Sequence, residues 1–241
     1  MKTLENDQLE TFDTEYVDEA KWELFEPCIA RDFPYGQFSF LDIGGGNGKF
    51  TDRLLTSYPN ATGTILDNSQ LLLDRNQPDP RKKLINASAE DLEAHVNEKY
   101  DLICLNWVLH HLVSDSYSQT RDNISSILSK AESLLSPRGR ISIFDNMYNG
   151  LFLDNLPSHL IYHLTSSKAI ARFIKSQGAN TAGVGVCFLS QKEWCSTFTA
   201  LGLEILQYSD DEKWNIPWKR NVFLHIGHIR CGHFWLAPSQ K

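Results

Sequence analysis

"LDIGGGNGKF", residues 41–50, places four glycines within five positions directly after a short hydrophobic segment. Glycine loses more conformational freedom on folding than any other residue, so such a cluster indicates a tight turn or the close approach of another group. Phosphate, dinucleotide and nucleoside sites all use a glycine-rich turn between a strand and a helix. The cluster therefore predicts a bound cofactor.

Apolar strand-like segments and helical segments alternate around this loop, from residue 38 to residue 146. The strand-like segments are "FSFLDI" (38–43), "ATGTILD" (61–67), "KKLINAS" (82–88), "YDLICLNW" (100–107) and "RISIFD" (140–145). Short apolar strands separated by helices are typical of an open, mostly parallel sheet that is covered on both faces. The pattern predicts an α/β fold.

The alternation ends after residue 146, and we divide the chain into four parts. The C-terminal part begins with a helix that has a capping box, Ser190 with Glu193, and a stop at Gly202. The segments "LEILQYS" and "RNVFLHIGHIRC" are expected to be two strands of a hairpin at the sheet edge. The predicted parts are an N-terminal helical cap (1–37), a core (38–146), a helical insertion (147–189) and a C-terminal helix with hairpin that completes the core (190–241).

Composition limits the class of protein and its partners. The 241 residues carry a formal net charge of −7, which disfavours nucleic acid as a partner. Five scattered cysteines without a CxxC pair indicate reduced thiols in the cytoplasm. The N-terminus has no apolar secretory region, and no segment reaches the roughly 18 apolar residues of a membrane helix. We expect a cytoplasmic protein without a membrane partner, and its oligomeric state stays open.

The C-terminal segment "HIGHIRCGH" contains four residues of metal-binding type. On an extended strand, His225 and His233 would lie about 26 Å apart at roughly 3.3 Å per residue. One compact tetrahedral site needs its ligands much closer together, so we expect no metal.

The spacing of the loop glycines excludes two common phosphate motifs. A P-loop requires a glycine where this chain has Ile43, and Ser or Thr where it has Phe50. The dinucleotide fingerprint requires a third glycine where this chain has Lys49.

The spacing that remains is Asp42-x-Gly44-x-Gly46-x-Gly48, which resembles motif I of the class I S-adenosylmethionine-dependent methyltransferases. The resemblance implies a Rossmann-like, doubly wound, seven-stranded sheet with a C-terminal antiparallel hairpin and a helical cap. It also implies S-adenosylmethionine as the cofactor and S-adenosylhomocysteine as the product.

The resemblance extends through the core. "NASAEDLE" (86–93) is similar to the adenine-flanking segment, with Ser88 where an Asp is usual, and "YDLICLNWVLHHL" (100–112) is similar to motif IV of the small-molecule branch. "LLSPRGRISIFD" (134–145) matches the turn before strand five, except that Arg138 replaces a glycine. Asp67 ends the second strand 19 residues after Gly48, where an acid can bind ribose hydroxyls. The expected cofactor-binding residues are Asp42, Gly44, Gly45, Gly46, Gly48, Asp67, Asn68, Ser88, Ala89, Glu90, Leu105, Asn106 and, from the N-terminal helices, Tyr16.

The acceptor is expected beyond the carboxyl ends of the strands. His110 and His111 are candidate general bases, because histidine titrates near neutrality. Adjacent helical residues point about 100° apart, so at most one of the two should face the methyl group. The expected acceptor-lining residues, from the ends of strands four and five and from the insertion, are Trp107, Asp145, Asn146, Tyr148, Tyr162 and His163.

The function implied by the resemblance is methyl transfer to an oxygen, nitrogen or carbon atom of a small metabolite in a biosynthetic pathway. The aromatic content of the insertion favours a hydrophobic or aromatic acceptor. Two alternatives stay open. A tRNA- or protein-modifying methyltransferase would require a basic rim around the pocket. A protein that binds the cofactor without methyl transfer would form no S-adenosylhomocysteine.

Overall fold

A seven-stranded sheet forms the centre of the molecule in the computed structural model, which describes residues 1–2, 8, 17–176, 178–211 and 213–239. Its order is β3-β2-β1-β4-β5-β7-β6, and β7 runs antiparallel to both of its neighbours. The other pairings are parallel. The strands are β1 (Ser39–Ile43), β2 (Thr62–Asp67), β3 (Lys82–Asn86), β4 (Tyr100–Asn106), β5 (Leu135–Gly150), β6 (Leu203–Asp210) and β7 (Ile226–Pro238).

Helices connect the strands and flank the sheet. The α-helices of the described residues are α1 (Glu19–Asp32), α2 (Lys49–Ser57), α3 (Gln70–Leu73), α4 (Leu92–His95), α5 (Tyr117–Ser133), α6 (Leu156–Ser166), α7 (Ala171–Ser176), α8 (Gln191–Ala200) and α9 (Trp218–Phe223). Single 3₁₀ turns lie at Ala89–Asp91, Leu109–His111 and Lys168–Ile170.

The central strands β1, β2 and β4 are buried on both faces of the sheet, which explains why they read as continuous apolar segments. In β4, Ile103 and Leu105 pack into a cluster with side chains of α5 and α8. Leu102 and Cys104 point to the other face and pack with side chains of α1 and α2. This alternation follows from the two-residue period of a strand. The predicted α/β fold class is confirmed.

Two details of the C-terminal half differ from expectation. β5 extends from residue 135 to residue 150, because β7 pairs with it over its full second half. Residues 220–223 are helical, since Pro217 is the N-cap of α9, and β7 begins only at Ile226. The expected hairpin is present, because β6 and β7 pair antiparallel at one edge of the sheet with β6 outermost.

The end signals of α8 are as expected. The Ser190 side chain accepts from the Glu193 N–H, and the Glu193 carboxylate accepts from the Ser190 N–H. Gly202 follows with φ +70°, the left-handed conformation that favours glycine. The division of the chain into four parts remains a prediction, and most of the expected N-terminal cap before residue 17 lies outside the described residues.

Within the described ranges, no helix has both the length and the hydropathy that crossing a bilayer requires. All five cysteines are free thiols. Burial raises the pKa of the Cys28 thiol to about 11 and that of Cys187 to about 12.

Candidate active site

The glycine loop leaves β1 at Ile43 and opens α2. Gly44, Gly46 and Gly48 have φ values of +75°, +49° and +72°, which L-residues with side chains rarely adopt. A Cβ at Gly44 would lie 2.6 Å from the Cγ2 atom of Val108. Both backbone conformation and packing therefore require glycine here.

Asp42, near the end of β1, holds the glycine loop in position against α2. Its side chain is 1% exposed, and its Oδ2 atom accepts a hydrogen bond of 2.9 Å from the Thr51 hydroxyl in the first turn of α2. A Cβ at Gly45 would lie 2.5 Å from the same oxygen. The carboxylate thus fixes the loop relative to α2, and a side chain at residue 45 would displace it.

Asp67 connects the end of β2 to the loop. Its Oδ2 atom accepts from the Gly46 N–H at 3.0 Å, and its Oδ1 atom accepts from the Ser69 N–H at 2.8 Å. Burial raises the pKa of this carboxyl group, while the two backbone hydrogen bonds oppose that rise. The strand-end acid and the glycine backbone are therefore held as one unit.

A cleft of about 1750 Å³ opens beyond the carboxyl ends of the parallel strands. The expected cofactor-binding residues that line it are Asp42, Gly44, Gly45, Gly46, Asp67, Asn68, Ser88, Ala89, Glu90 and Asn106. Gly48 does not line it but shapes the start of α2. Leu105 is fully buried in the hydrophobic core, since its side chain points away from the cleft side of β4. Tyr16 lies outside the described residues.

Ser88 and Asn106 show how the cleft could bind a nucleoside amino acid. The Ser88 hydroxyl caps the following 3₁₀ turn by accepting from the Glu90 N–H at 3.2 Å. Both polar atoms of the Asn106 amide are buried without a hydrogen-bond partner among the described residues. An unsatisfied buried polar group costs about 1–3 kcal/mol, a cost that a polar ligand in the cleft would remove.

The acceptor side of the cleft begins at Trp107, which has φ +51°. Its indole Nε1–H donates to the Asn146 Oδ1 atom at 3.1 Å, and its ring stacks on Phe144 with centroids 5.4 Å apart. Trp107, Asn146 and Tyr148 all line the cleft. Asn146 and Tyr148 lie within β5, since that strand is longer than expected.

His110 and His111 both line the cleft, and which of them faces the methyl group stays a prediction. They lie in a 3₁₀ turn, and their ring centroids are 4.1 Å apart. The Nδ1 atom of His110 is 2.6 Å from the Asp145 Oδ1 atom, and both side chains are buried. Burial and the neighbouring His110 lower the pKa of His111 well below its usual value, so His111 is neutral near pH 7.

Three expected acceptor-lining residues lie elsewhere. Asp145 is 1% exposed and sits behind His110 rather than on the cleft wall. The Tyr162 hydroxyl donates to the Ser114 carbonyl at 3.0 Å, and its ring is buried. His163, the next residue of α6, points to solvent. The helical phase of α6 directs Ile161, Leu164 and Thr165 to the cleft instead.

Phe188 is a cleft residue that the sequence did not reveal. Its ring lies 4.6 Å from that of His110 and stacks on that of Tyr148 at 4.5 Å. Burial raises the pKa of Tyr148 to about 12, so its phenol stays protonated at neutral pH. Phe188 lies in a segment without helix or strand, so no hydrophobic periodicity in the sequence could have identified it as a cleft residue.

Asn76 is a residue of the loop's support that the sequence did not reveal, although it does not line the cleft. Its Nδ2 atom donates to the Gly46 carbonyl at 2.8 Å, and a Cβ at Gly48 would lie 1.8 Å from its Oδ1 atom. It therefore fixes the far side of the glycine loop.

The histidines near the C-terminus have structural contacts. His225 Nε2 accepts from the backbone N–H groups of Phe152 and Leu153, each at 3.0 Å. His233 Nε2 lies 3.0 Å from the Ser142 hydroxyl. Among the described residues, no three His, Cys, Asp or Glu side chains are arranged to hold a metal ion.

The sheet order, the glycine loop and the position of the cleft define the class of protein, a Rossmann-like methyltransferase fold. Residues 41–141 match the family described as "Methyltransferase domain". This match lies in the core of the chain, and the resemblance to the class I S-adenosylmethionine-dependent methyltransferases is confirmed. S-adenosylmethionine is the cofactor of this class.

Individual relatives differ in what their names say they methylate. The chain is 27% identical over 176 residues to a malonyl-[acyl-carrier protein] O-methyltransferase from Ilyobacter polytropus, covering 60% of this chain and 67% of that one. It is 31% identical over 125 residues to an N-terminal Xaa-Pro-Lys N-methyltransferase from Danio rerio, covering 49% of this chain and 52% of that one. The chain thus spans about half to two thirds of the length of these curated relatives.

A solved S-adenosylmethionine-dependent methyltransferase from Leishmania major has the same fold. It superposes with a TM-score of 0.62 at 18% sequence identity, covering 94% of this chain and 75% of that one. At this identity the similarity concerns the fold.

Proposed function

We propose that this chain transfers the methyl group of S-adenosylmethionine to an oxygen, nitrogen or carbon atom of a small-molecule acceptor. The observation that carries the proposal is one continuous cleft with a glycine loop and two strand-end acids at one end. Its wall also contains His110, which contacts the buried Asp145 behind it. Asp42, Asp67 and Asn106 would bind the cofactor together with the loop backbone. When bound, the cofactor supplies an electrophilic methyl group on a sulfonium.

His110 is the proposed general base. The Asp145 carboxylate accepts from Nδ1–H, which places the hydrogen on that nitrogen and leaves the lone pair on Nε2. Nε2 can then remove the proton of an acceptor hydroxyl or amine as its heavy atom bonds to the methyl carbon. The cofactor would supply the methyl group for this bond and would leave as S-adenosylhomocysteine. Positioned general bases contribute about 10²–10⁴ in rate.

The walls of the outer cleft favour a small acceptor. They are formed by aliphatic and aromatic side chains of β5, α6 and β7 and of the segments around them. Phe188, Ile161 and Ile226 are examples. A concave, largely apolar wall with a few polar groups is typical of small-molecule sites.

Incubation with methyl-labelled S-adenosylmethionine and a metabolite extract tests the proposal, with mass spectrometry of the products. We expect label in a small molecule and formation of S-adenosylhomocysteine, both lost in His110→Ala. Label confined to protein or RNA would replace the small-molecule acceptor with a macromolecule. Cofactor binding without any labelled product would contradict methyl transfer itself.

A further inference from the structure

Two cations line the outer half of the cleft. Lys219 and Arg220 lie on α9, both side chains are exposed, and neither forms an ion pair with a carboxylate of the described residues. The wall around them is apolar, with Ile161, Leu164, Val186, Phe188, Ile226 and Ile229. An apolar wall beside two unpaired cations is complementary to an apolar molecule with one anionic end.

Arg220 lines the same cleft as His110. Its positive charge lowers the pKa of Tyr148 and so opposes the rise that burial causes. Tyr148 stacks on Phe188, and Phe188 packs against His110. A ligand that spans from Arg220 to His110 would therefore lie along these two aromatic rings.

Acidic side chains are absent from two of the segments that form this half, one in the helical insertion and one at the C-terminus. Residues 155–192 contain four basic and no acidic residues, and residues 213–241 contain five basic and no acidic residues. The acids among the described cleft-lining residues are Asp42, Asp67 and Glu90, all at the glycine-loop end. A protein with a net charge of −7 thus has a locally cationic acceptor region.

The size of the cleft allows a second ligand beside the cofactor. Small-molecule sites commonly measure about 300–1,000 Å³. The cleft measures about 1750 Å³. It can therefore hold the cofactor and an acceptor of similar size together.

We infer that the acceptor is an amphipathic acid whose carboxylate or phosphate is bound by Arg220 with Lys219, while its apolar body lies along Phe188. This inference rests on the proposed function and names its substrate class. Arginine binds carboxylate and phosphate through two parallel N–H donors, and a neighbouring lysine adds a point charge. The role of Arg220 is specificity: it positions the acceptor and does not take part in the transfer of the methyl group.

Calorimetry with three simple amphiphiles tests the inference on the full chain saturated with S-adenosylhomocysteine. Octanoate, octyl phosphate and 1-octanol share one apolar body and differ in the head group. We expect at least one of the two anions to bind about tenfold more tightly than 1-octanol, the effect of charge-assisted hydrogen bonds at a part-exposed site. The stronger of the two anions identifies carboxylate or phosphate as the preferred group.

The variants Lys219→Gln and Arg220→Gln, made together, should abolish that tenfold preference, and Arg220→Lys should retain part of it. Arg172→Gln is the matched control, because Arg172 is an exposed arginine of α7 that does not line the cleft. Equal binding of anions and alcohol, no binding of any amphiphile, or an equal loss in Arg172→Gln would overturn the inference. Binding of S-adenosylhomocysteine is measured separately, so failure of the cofactor site and failure of the anion site are distinguishable.

Discussion

The Nδ1 atom of His110 lies 2.6 Å from the Oδ1 atom of Asp145. The carboxylate belongs to β5 and lies behind the cleft wall. Asp145 Oδ1 also accepts from the Asn146 N–H at 2.7 Å, which holds the carboxylate in place. The pair is thus a fixed unit, in which the acid determines the hydrogen position on the imidazole.

Asp145→Asn should lower kcat for methyl transfer about a hundredfold or more. An Asn amide can donate to Nδ1, which favours the tautomer with hydrogen on Nε2 and removes the base from the cleft. The affinity for S-adenosylhomocysteine should change less than twofold. Asp122→Asn, at an exposed position of α5, is the control and should leave both quantities unchanged. An unchanged kcat in Asp145→Asn would remove His110 from the mechanism.

Asn106→Leu separates a ligand-binding role from a structural one. The amide has no partner among the described residues, so an apolar side chain of similar size should leave the free energy of unfolding unchanged or raise it by about 1 kcal/mol. The affinity for S-adenosylhomocysteine should fall about tenfold or more. Urea unfolding and calorimetry on the same preparation measure the two effects. A less stable variant with full affinity would mean that Asn106 is purely structural.

Gly48→Ala, in the glycine loop, and Gly202→Ala, after the end of α8, form a matched pair. Their φ values are +72° and +70°, but only the new Cβ at residue 48 meets a neighbour, Asn76 Oδ1 at 1.8 Å. Backbone strain should lower the free energy of unfolding by about 1–2 kcal/mol in both. Displacement of Asn76 also breaks its bond to the Gly46 carbonyl, so Gly48→Ala alone should lose cofactor affinity, by about tenfold. Equal affinities in the two variants would show that the loop tolerates a side chain there.

His233 should make stability depend on pH. Burial lowers its pKa to about 3, below the value of 6.5 in the unfolded chain. The folded state therefore favours neutral His233, and this stabilisation is complete above pH 6.5 and lost as the pH falls towards 3. At 1.36 kcal/mol per pKa unit the loss is about 5 kcal/mol.

His233→Gln should reduce the pH slope of the free energy of unfolding between pH 6.5 and pH 3, measured by urea titration. Gln can still bond to the Ser142 hydroxyl, so the variant should fold. His95→Gln is the control, since His95 is exposed, and its slope should equal that of the wild type. A slope that His233→Gln leaves unchanged would show that another group causes the acid sensitivity.

Local signals in the sequence predicted the glycine loop, the alternation of strands and helices and the acid at the end of β2. They did so because backbone conformation and apolar periodicity are local properties. Residues 220–223 were wrongly expected to be a strand, because their apolar content did not distinguish a short helix after Pro217 from a strand.

Contacts between distant segments were not predictable in this way. Asp145 was assigned to the acceptor, and its contact with His110 depends on the register of β4 against β5, which pairs Asn106 with Phe144. Tyr162 and His163 were chosen by residue type, but the phase of α6 turns them away from the cleft. Phe188 and Arg220 reach the cleft only through the fold of the chain around it.

The central claim is that the glycine loop and Asp67 form a site for S-adenosylmethionine. Calorimetry with S-adenosylhomocysteine tests it most directly, because this product binds without turnover. We expect one molecule bound per chain, with affinity reduced about tenfold or more in Asp67→Ala. The control is Asp74→Ala, at the exposed C-cap of α3, and its affinity should equal that of the wild type. Absence of binding heat with both S-adenosylhomocysteine and S-adenosylmethionine, or equal affinity in the wild type and Asp67→Ala, would contradict the account.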